Sequence, residues 1–279
     1  MSNNNRTWLI TGCSTGFGRA LAEILIARGE RVIATARKPE QIADLVAGHA
    51  NATALKLDVT SSADIAAAVA AAGDIDVLVN NAGYGYLTAF EEGEASGYRP
   101  QFETNLFGLI EMTKAVLPRM RQRGSGHIVN IASVGGLVGN PGSSYYAATK
   151  FAVVGLSEAL SQEVAPLGIK VTLVEPGPFR TDWGGRSLQS SGRRIDAYKA
   201  TVHERLDLIA RNSGHQPGDP VRAAEAIIAT VDSNAPPLNL ILGAIGLRAV
   251  RAKLARLTAE IDKWEPISLG ADYPEPKAS

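Results

Sequence analysis

Residues 6–29 read Arg6-Thr7-Trp8-Leu9-Ile10-Thr11, then Gly12-Cys13-Ser14-Thr15-Gly16-Phe17-Gly18, then Arg19-Ala20-Leu21-Ala22-Glu23-Ile24-Leu25-Ile26-Ala27-Arg28-Gly29. The first piece is a short apolar run of the kind that forms a buried strand. The last carries apolar residues at helical spacing and ends on a glycine, where helices stop. A glycine-rich turn therefore joins a strand to a helix. The start of such a helix offers unpaired N–H groups and a partial positive charge, which suit a pyrophosphate. Glycines let the backbone approach that anion and let the helix pack on the strand. The spacing is Gly-x-x-x-Gly-x-Gly, not Gly-x-Gly-x-x-Gly. The strand–turn–helix setting, more than the spacing, favours a dinucleotide site over an ordinary tight turn.

The next apolar run, Arg31-Val32-Ile33-Ala34-Thr35-Ala36, bears on the choice of dinucleotide. An NAD site commonly has an acidic residue about 20 positions past the glycines, bonded to the ribose 2′-OH. Here Ala36 holds that place and Arg37 follows. A guanidinium fits a 2′-phosphate by charge and by bidentate geometry, and Ser14 and Thr15 add hydroxyls. The expectation is NADP over NAD; the plainer alternative makes Arg37 a solvated surface charge.

A second cluster points to acid–base chemistry. Tyr146 and Lys150 stand four residues apart, and Ser133 lies thirteen residues before Tyr146. Four residues is about one helical turn, so phenol and ammonium share a face. A free tyrosine titrates near about 10, and a neighbouring positive charge lowers that value. Tyr146 could then exchange a proton with a carbonyl or alcohol oxygen that Ser133 also holds. The bland alternative is a half-buried tyrosine beside a snorkelling lysine.

With these residues in hand, the chain resembles the short-chain dehydrogenase/reductase family, strongly over about residues 6–185. Thr11-Gly12-x-x-x-Gly16-x-Gly18 is similar to its cofactor turn, and Asn80-Asn81-Ala82-Gly83 to the motif after its fourth strand, here residues 75–79. Ser133 follows the strand 127–132, Tyr146-x-x-x-Lys150 matches the family's Tyr-x-x-x-Lys, and Pro176-Gly177 follows the strand 169–175. The resemblance implies Tyr146, Lys150, Ser133 and Asn105 as catalytic residues, Asn105 supporting a proton-relay water. It implies that Asp58 and Val59 touch the adenine, and that Asn81, Ala82 and Gly83 line the cofactor. Pro176, Gly177, Phe179 and Thr181 would sit by the nicotinamide and phosphates. Phe17 stands where the family often has Ile or Leu, a departure expected to matter little to phosphate binding. The implied fold is α/β: a single Rossmann-like, doubly wound parallel sheet of about seven strands with helices on both faces.

Composition agrees with one α/β domain. The chain has 279 residues, 45% of them hydrophobic, and 28 basic residues balance 28 acidic ones. No basic block invites nucleic acid. The one cysteine, Cys13, cannot form an internal disulfide and reads as a small packing residue. No His/Cys/Asp grouping has metal-ligand spacing, and His49, His127, His203 and His215 are scattered. Residues 1–5 are short and polar, which leaves no room for a signal peptide, and no apolar run is long enough to span a membrane. A cytoplasmic protein is expected.

Strands and helices alternate from residue 6 to 175, the pattern of a parallel sheet covered on both faces. Ligands of such sheets bind outside the carboxyl ends of the strands, where every motif above falls. Residues 182–218 are polar, with one helix near 195–211; the family places a substrate-covering segment here, which excludes water and shapes the pocket. Asp219 caps a helix to about residue 231, residues 238–242 form a last strand, and a basic amphipathic helix spans about 245–264. A solvated face or subunit contact is preferred for it over a membrane surface. The tail from Glu265 is expected to be extended.

The reading is an NADP(H)-dependent oxidoreductase that moves a hydride to or from a ketone, aldehyde or secondary alcohol. Val134, Gly135, Val138, Tyr145, Trp183 and residues near Tyr84 and Leu87 would line an apolar pocket. Two long helices, near 97–123 and 145–167, would pair subunits into a homodimer or homotetramer, as the family implies. Sugar-nucleotide epimerases and dehydratases share the Tyr–Lys pair but have longer substrate domains and a different glycine spacing. Enoyl reductases space Tyr and Lys more widely. A non-catalytic NADP-binding protein would tend to lose the Tyr or the Lys, and both are present.

Overall fold

The computed structural model describes residues 5–185 and 187–273. In chain order the strands are β1 (Thr7–Ile10), β2 (Arg31–Ala36), β3 (Ala52–Lys56), β4 (Val77–Asn80), β5 (Gly85–Tyr86), β6 (Gly126–Ile131), β7 (Ile169–Pro176), β8 (Leu188–Gln189) and β9 (Asn239–Leu242). The α-helices are α1 (Gly16–Ala27), α2 (Ala43–Val46), α3 (Ser62–Ala72), α4 (Ala95–Phe102), α5 (Gly108–Arg123), α6 (Ser144–Val164), α7 (Glu204–Arg211), α8 (Pro220–Asp232) and α9 (Ala244–Leu269).

Seven strands form one parallel sheet in the order β3-β2-β1-β4-β6-β7-β9. The central strands are apolar throughout because helices cover both faces. One layer joins α1 and α8 to the sheet through Leu21, Leu25, Val79, Val174 and Ile227. The opposite layer packs α3 and α5 through Leu9, Ile65, Leu78, Met112 and Ile128, and Val153 and Val154 of α6 meet Leu173 on β7. A buried polar chain ties α5 and α6 to the central strands. Asn80 donates to Asn130 Oδ1 at 2.9 Å and to Thr113 Oγ1 at 3.0 Å, and Asn130 donates to Ser157 Oγ at 2.8 Å. β5 and β8 pair apart from the main sheet and bring residues 182–218 over the strand ends.

The chain winds outward from β1 to β3, then crosses to β4. The order therefore reverses between β1 and β4, which is where ligands bind in open parallel sheets. Asp219 caps α8 as expected, accepting from Val221 N at 2.8 Å. Two expectations need correction. The expected helix near 97–123 is a run of α4, a π-turn over Glu103–Phe107 and α5. The expected extended tail from Glu265 is helical through Leu269, with Pro266 inside α9. Proline forfeits one ladder bond near the helix end, where the loss is smallest. Residues 1–4 and 274–279, which hold most of the polar N-terminus and the end of the tail, lie outside the described residues.

Candidate active site

The site begins at the turn between β1 and α1. Gly12 and Gly16 have φ of 73° and 62°, left-handed values that suit glycine. Asn81 braces the turn from the end of β4: its Nδ2 donates to the carbonyls of Thr11 (2.8 Å) and Gly12 (2.9 Å). A Cβ on Gly18 would lie 2.5 Å from that nitrogen and 2.6 Å from Gly12 O, so only glycine fits. Thr11 completes the brace, its hydroxyl accepting from the N–H groups of Asn81 and Ala82 at 2.9 Å each. The α1 start carries no side-chain cap from Thr15, which leaves its first N–H groups for an anion. This cradle fits a dinucleotide pyrophosphate. The Phe17 ring meets Phe179 edge-on at 5.2 Å and so fastens α1 to the chain after β7. The methyl of Thr181 reaches the same turn near Gly16.

Arg37 is exposed at the end of β2 and makes no ion pair among the described residues. Asp58 accepts from the N–H and hydroxyl of Thr60, at 3.0 and 2.7 Å, and so shapes its own turn. Val59 is buried against Gly108, where a Cβ would come 2.6 Å from a Val59 methyl. Cys13 is buried and its thiol is pushed up to about 12, chiefly by desolvation, which makes it a packing residue.

Ser133, at the end of β6, and Tyr146 and Lys150, on α6, converge below this cradle. Gly135 lies against both of the first two: a Cβ there would be 3.2 Å from Tyr146 Cε1 and 3.3 Å from Ser133 Oγ, and Ser133 is hydrogen-bonded to the Tyr146 phenol. Ser133 Oγ also accepts from Gly135 N at 2.9 Å. Lys150 Nζ donates to Ile131 O at 2.8 Å and lies 5.9 Å from the centre of the Tyr146 ring. Gly83 borders the lysine, since a Cβ there would stand 3.8 Å from Lys150 Nζ and 3.0 Å from Asn105 Oδ1. Trp183 covers Tyr146 from the overlying segment, ring centres 5.3 Å apart.

The electrostatics correct one expectation. In the chain by itself Lys150 does not make Tyr146 acidic. Burial dominates and pushes the phenol up to about 12, against a smaller opposing effect of Ser133. Burial also lowers the Lys150 ammonium to about 8.

Asn105 sits in the π-turn, a feature often found at functional sites. Its side chain is fully engaged: Oδ1 accepts from Tyr84 N at 3.0 Å, and Nδ2 donates to Tyr84 O at 2.9 Å and to Thr149 Oγ1 at 3.3 Å. Tyr145, expected in the pocket, points elsewhere. It stacks between Phe90 and Tyr98, at 5.3 and 4.7 Å, and donates to Phe90 O at 2.8 Å. One helical position from Tyr146 is about 100° around the helix, which turns the two rings to different faces.

The sequence gives no sign of Thr149 as a partner of Asn105, nor of a buried pair, Glu92 and His203. Glu92 Oε1 lies 2.6 Å from His203 Nε2 and accepts from Ile195 N at 2.7 Å; Oε2 accepts from Thr88 Oγ1 at 3.1 Å. The carboxylate thus clips residues 195–203 to the chain after β5. Thr11, as the residue that opens the glycine turn, and Tyr84, beside the expected pocket, carry a sequence signal; their hydrogen bonds to Asn81, Ala82 and Asn105 do not.

The fold and these strand-end turns define a nucleotide-dependent oxidoreductase class. A family model described as short chain dehydrogenase matches residues 6–191. The chain is 40% identical over 272 residues to "Oxidoreductase BOA17" of Botryotinia fuckeliana, covering 95% of this chain and 99% of the relative. A short-chain dehydrogenase structure from Streptomyces avermitilis superposes with a TM-score of 0.91 at 45% identity, covering 98% of this chain and 100% of that one. A short chain dehydrogenase from Burkholderia cenocepacia in complex with NADP superposes at 0.74 with 25% identity, covering 94% and 98%. The chain belongs to the short-chain dehydrogenase/reductase family and is an oxidoreductase.

Proposed function

We propose that the protein is a cytoplasmic, NADP-dependent carbonyl reductase, able in reverse to oxidise a secondary alcohol. When bound, the nicotinamide supplies or accepts the hydride. Tyr146 donates a proton to the carbonyl oxygen. A phenol held near about 12 is protonated at neutral pH, which suits reduction. Ser133 positions that oxygen beside the phenol. Lys150, through its ammonium, holds the nicotinamide ribose and supports charge on the phenolate. Asn105 holds the chain at Tyr84 and, as membership of the family implies, supports the proton-relay water. Arg37 takes the 2′-phosphate.

The observation that carries this reading is the convergence of Ser133, Tyr146, Lys150 and Gly83 beneath a glycine cradle whose helix start is uncapped. Val134, Val138, Trp183 and Tyr84 are half-buried around it, which favours an apolar or aromatic carbonyl compound. Pairing through α5 with the π-turn before it and through α6, where Phe107 of that turn and Phe151 of α6 are 47% and 44% exposed, would give a homodimer or homotetramer.

The test is NADPH oxidation, followed optically, against a panel of ketones and aldehydes. Tyr146→Phe should abolish turnover while leaving NADPH affinity within about twofold, because the phenol's hydroxyl acts on the substrate oxygen. Turnover retained in that variant would defeat the assignment.

A further inference from the structure

Helix α9 carries a second, longer-range pattern. Leu247, Val250, Leu254, Leu257, Ile261 and Trp264 recur at alternating intervals of three and four residues, the spacing of a two-helix seam. The body of the protein uses only the beginning of this stripe. Gly246 and Val250 are buried, and a Cβ on Gly246 would lie 2.7 Å from a Val134 methyl and 3.3 Å from Gly177. Beyond Lys253 the helix leaves the body. Every residue from 254 to 269 is exposed, with Leu254, Leu257, Ile261 and Trp264 at 57, 40, 59 and 54%. At 1.5 Å per residue that stretch projects about 24 Å. A lone amphipathic helix of this length is marginal in water without a partner for its apolar face.

We propose that this stripe joins two copies of the chain, with α9 of one lying antiparallel against α9 of the other. The charge distribution selects both partner and direction. The first half of the helix carries Arg248, Arg251, Lys253 and Arg256; the second carries Glu260, Asp262 and Glu265 with Lys263. Parallel pairing would stack the basic halves, whereas antiparallel pairing sets each basic half on an acidic one. The apolar layers agree. Leu254 faces the partner subunit's Leu257, and Trp264 comes opposite the partner's Leu247, which its own body leaves 37% exposed. Lys253 comes opposite the partner's Glu260, and the two-fold axis repeats each relation. The same acidic residues disfavour an anionic lipid surface, which a uniformly basic amphipathic helix would seek.

The test uses the full chain. Sedimentation velocity over a range of concentrations should show assembly one step larger than in the Leu254→Glu/Leu257→Glu double variant, whose mass should halve. Both side chains are exposed, so folding, checked by thermal melting, should be unchanged. Lys253→Glu should weaken the association about tenfold, and adding Glu260→Lys should restore it. Direction is read by spin-label distances, since Cys13 is buried and leaves introduced cysteines to react. Labels at Ala255→Cys should be close, and labels at Ser268→Cys should be offset by about 25 residues, or about 38 Å, along the axis. Short distances at both positions would mean parallel pairing and overturn the proposal. Unchanged mass in the double variant would also overturn it, as would the same variant losing only co-sedimentation with phosphatidylglycerol vesicles, which would make the stripe a lipid face.

Discussion

Lys150 Nζ donates to the Ile131 carbonyl at 2.8 Å while standing 5.9 Å from the centre of the Tyr146 ring. The lysine is thus held by β6, and its charge is under strain from burial, which brings the ammonium down to about 8. Tyr146 stays protonated to about 12. Below about 8 the pair is therefore a neutral phenol beside an ammonium, and above it a neutral phenol beside a neutral amine. Carbonyl reduction should be level at lower pH and decline as pH rises through about 8, when the charge that supports the phenolate is lost. Lys150→Met should lower kcat/KM by about 10²–10⁴, the usual range for acid–base machinery, and abolish that decline. A pH–rate profile of both proteins checks this; a decline that persists in the variant would assign it to another group.

Arg37 has no ion-pair partner of its own among the described residues, so its guanidinium is available to a ligand. Hydrogen bonds to charged groups contribute about 1.5–3 kcal/mol, which is roughly a 10- to 150-fold effect on affinity. Arg37→Ala should raise the KM for NADPH within that range and leave the NADH value nearly unchanged. Steady-state kinetics with both coenzymes decide it. Equal losses with both would place Arg37 outside the 2′-phosphate site.

The glycine turn, the strand after it and the Tyr146–Lys150 spacing were legible because each depends on local chemistry: backbone freedom, an uncapped helix start, one helical turn. A parallel sheet covered on both faces followed from the alternation of strands and helices, and its seven strands from the family resemblance. What stayed hidden depends on groups far apart in the chain. Nothing near Glu92 in the sequence announces His203, since the two meet only when residues 195–203 fold back over β5. The raised Tyr146 value was hidden for a related reason, because spacing shows the lysine but not the burial that outweighs it. Tyr145 was misplaced because adjacent residues on a helix point to different faces, and its aromatic partners Phe90 and Tyr98 come from another segment.

Glu175, on β7, is fully buried, and neither carboxylate oxygen has a hydrogen-bond partner. Desolvation, with a smaller push from Glu158, raises its carboxyl to about 7 from an ordinary 4.5. The folded state therefore binds a proton that the unfolded chain has released between about 4.5 and 7. The stability this gives is complete below 4.5 and is lost as pH rises through about 7. Glu175→Gln, which cannot ionise, should melt higher than the wild type at pH 8, by about 3 kcal/mol at most, and the difference should shrink toward pH 5. His127 opposes this in nearly the same window. Burial lowers it to about 4 from 6.5, so its contribution is lost as pH falls. Melting the Glu175→Gln variant across pH separates the two, and an unchanged curve would show that Glu175 finds a partner.

Glu92 anchors the segment over the site. Burial raises its carboxyl, but hydrogen bonds from Ile195 N, His203 and Thr88 outweigh this and hold it below the ordinary carboxylate value. Its side chain is 2% exposed and that of His203 7%. Removing the carboxylate leaves the buried His203 ring, Ile195 N–H and Thr88 hydroxyl without their acceptor, at about 1–3 kcal/mol for each group left unsatisfied. Here the loss should fall on residues 195–203, which this clip ties to the body, while β8, Trp183 against Tyr146, Arg205 donating to Pro141 O at 2.8 Å and Tyr198, whose hydroxyl donates to Glu91 at 2.8 Å, hold the rest of residues 182–218. Glu92→Ala should therefore open the segment without unfolding the sheet. Trypsin should cut faster at the exposed Arg193 and Arg194, and the KM for a carbonyl substrate should rise about tenfold or more while NADPH affinity holds. The glycine cradle and Arg37 lie on other elements, which is why the coenzyme should be indifferent. Unchanged proteolysis together with an unchanged KM would show that the segment is held in place without the clip.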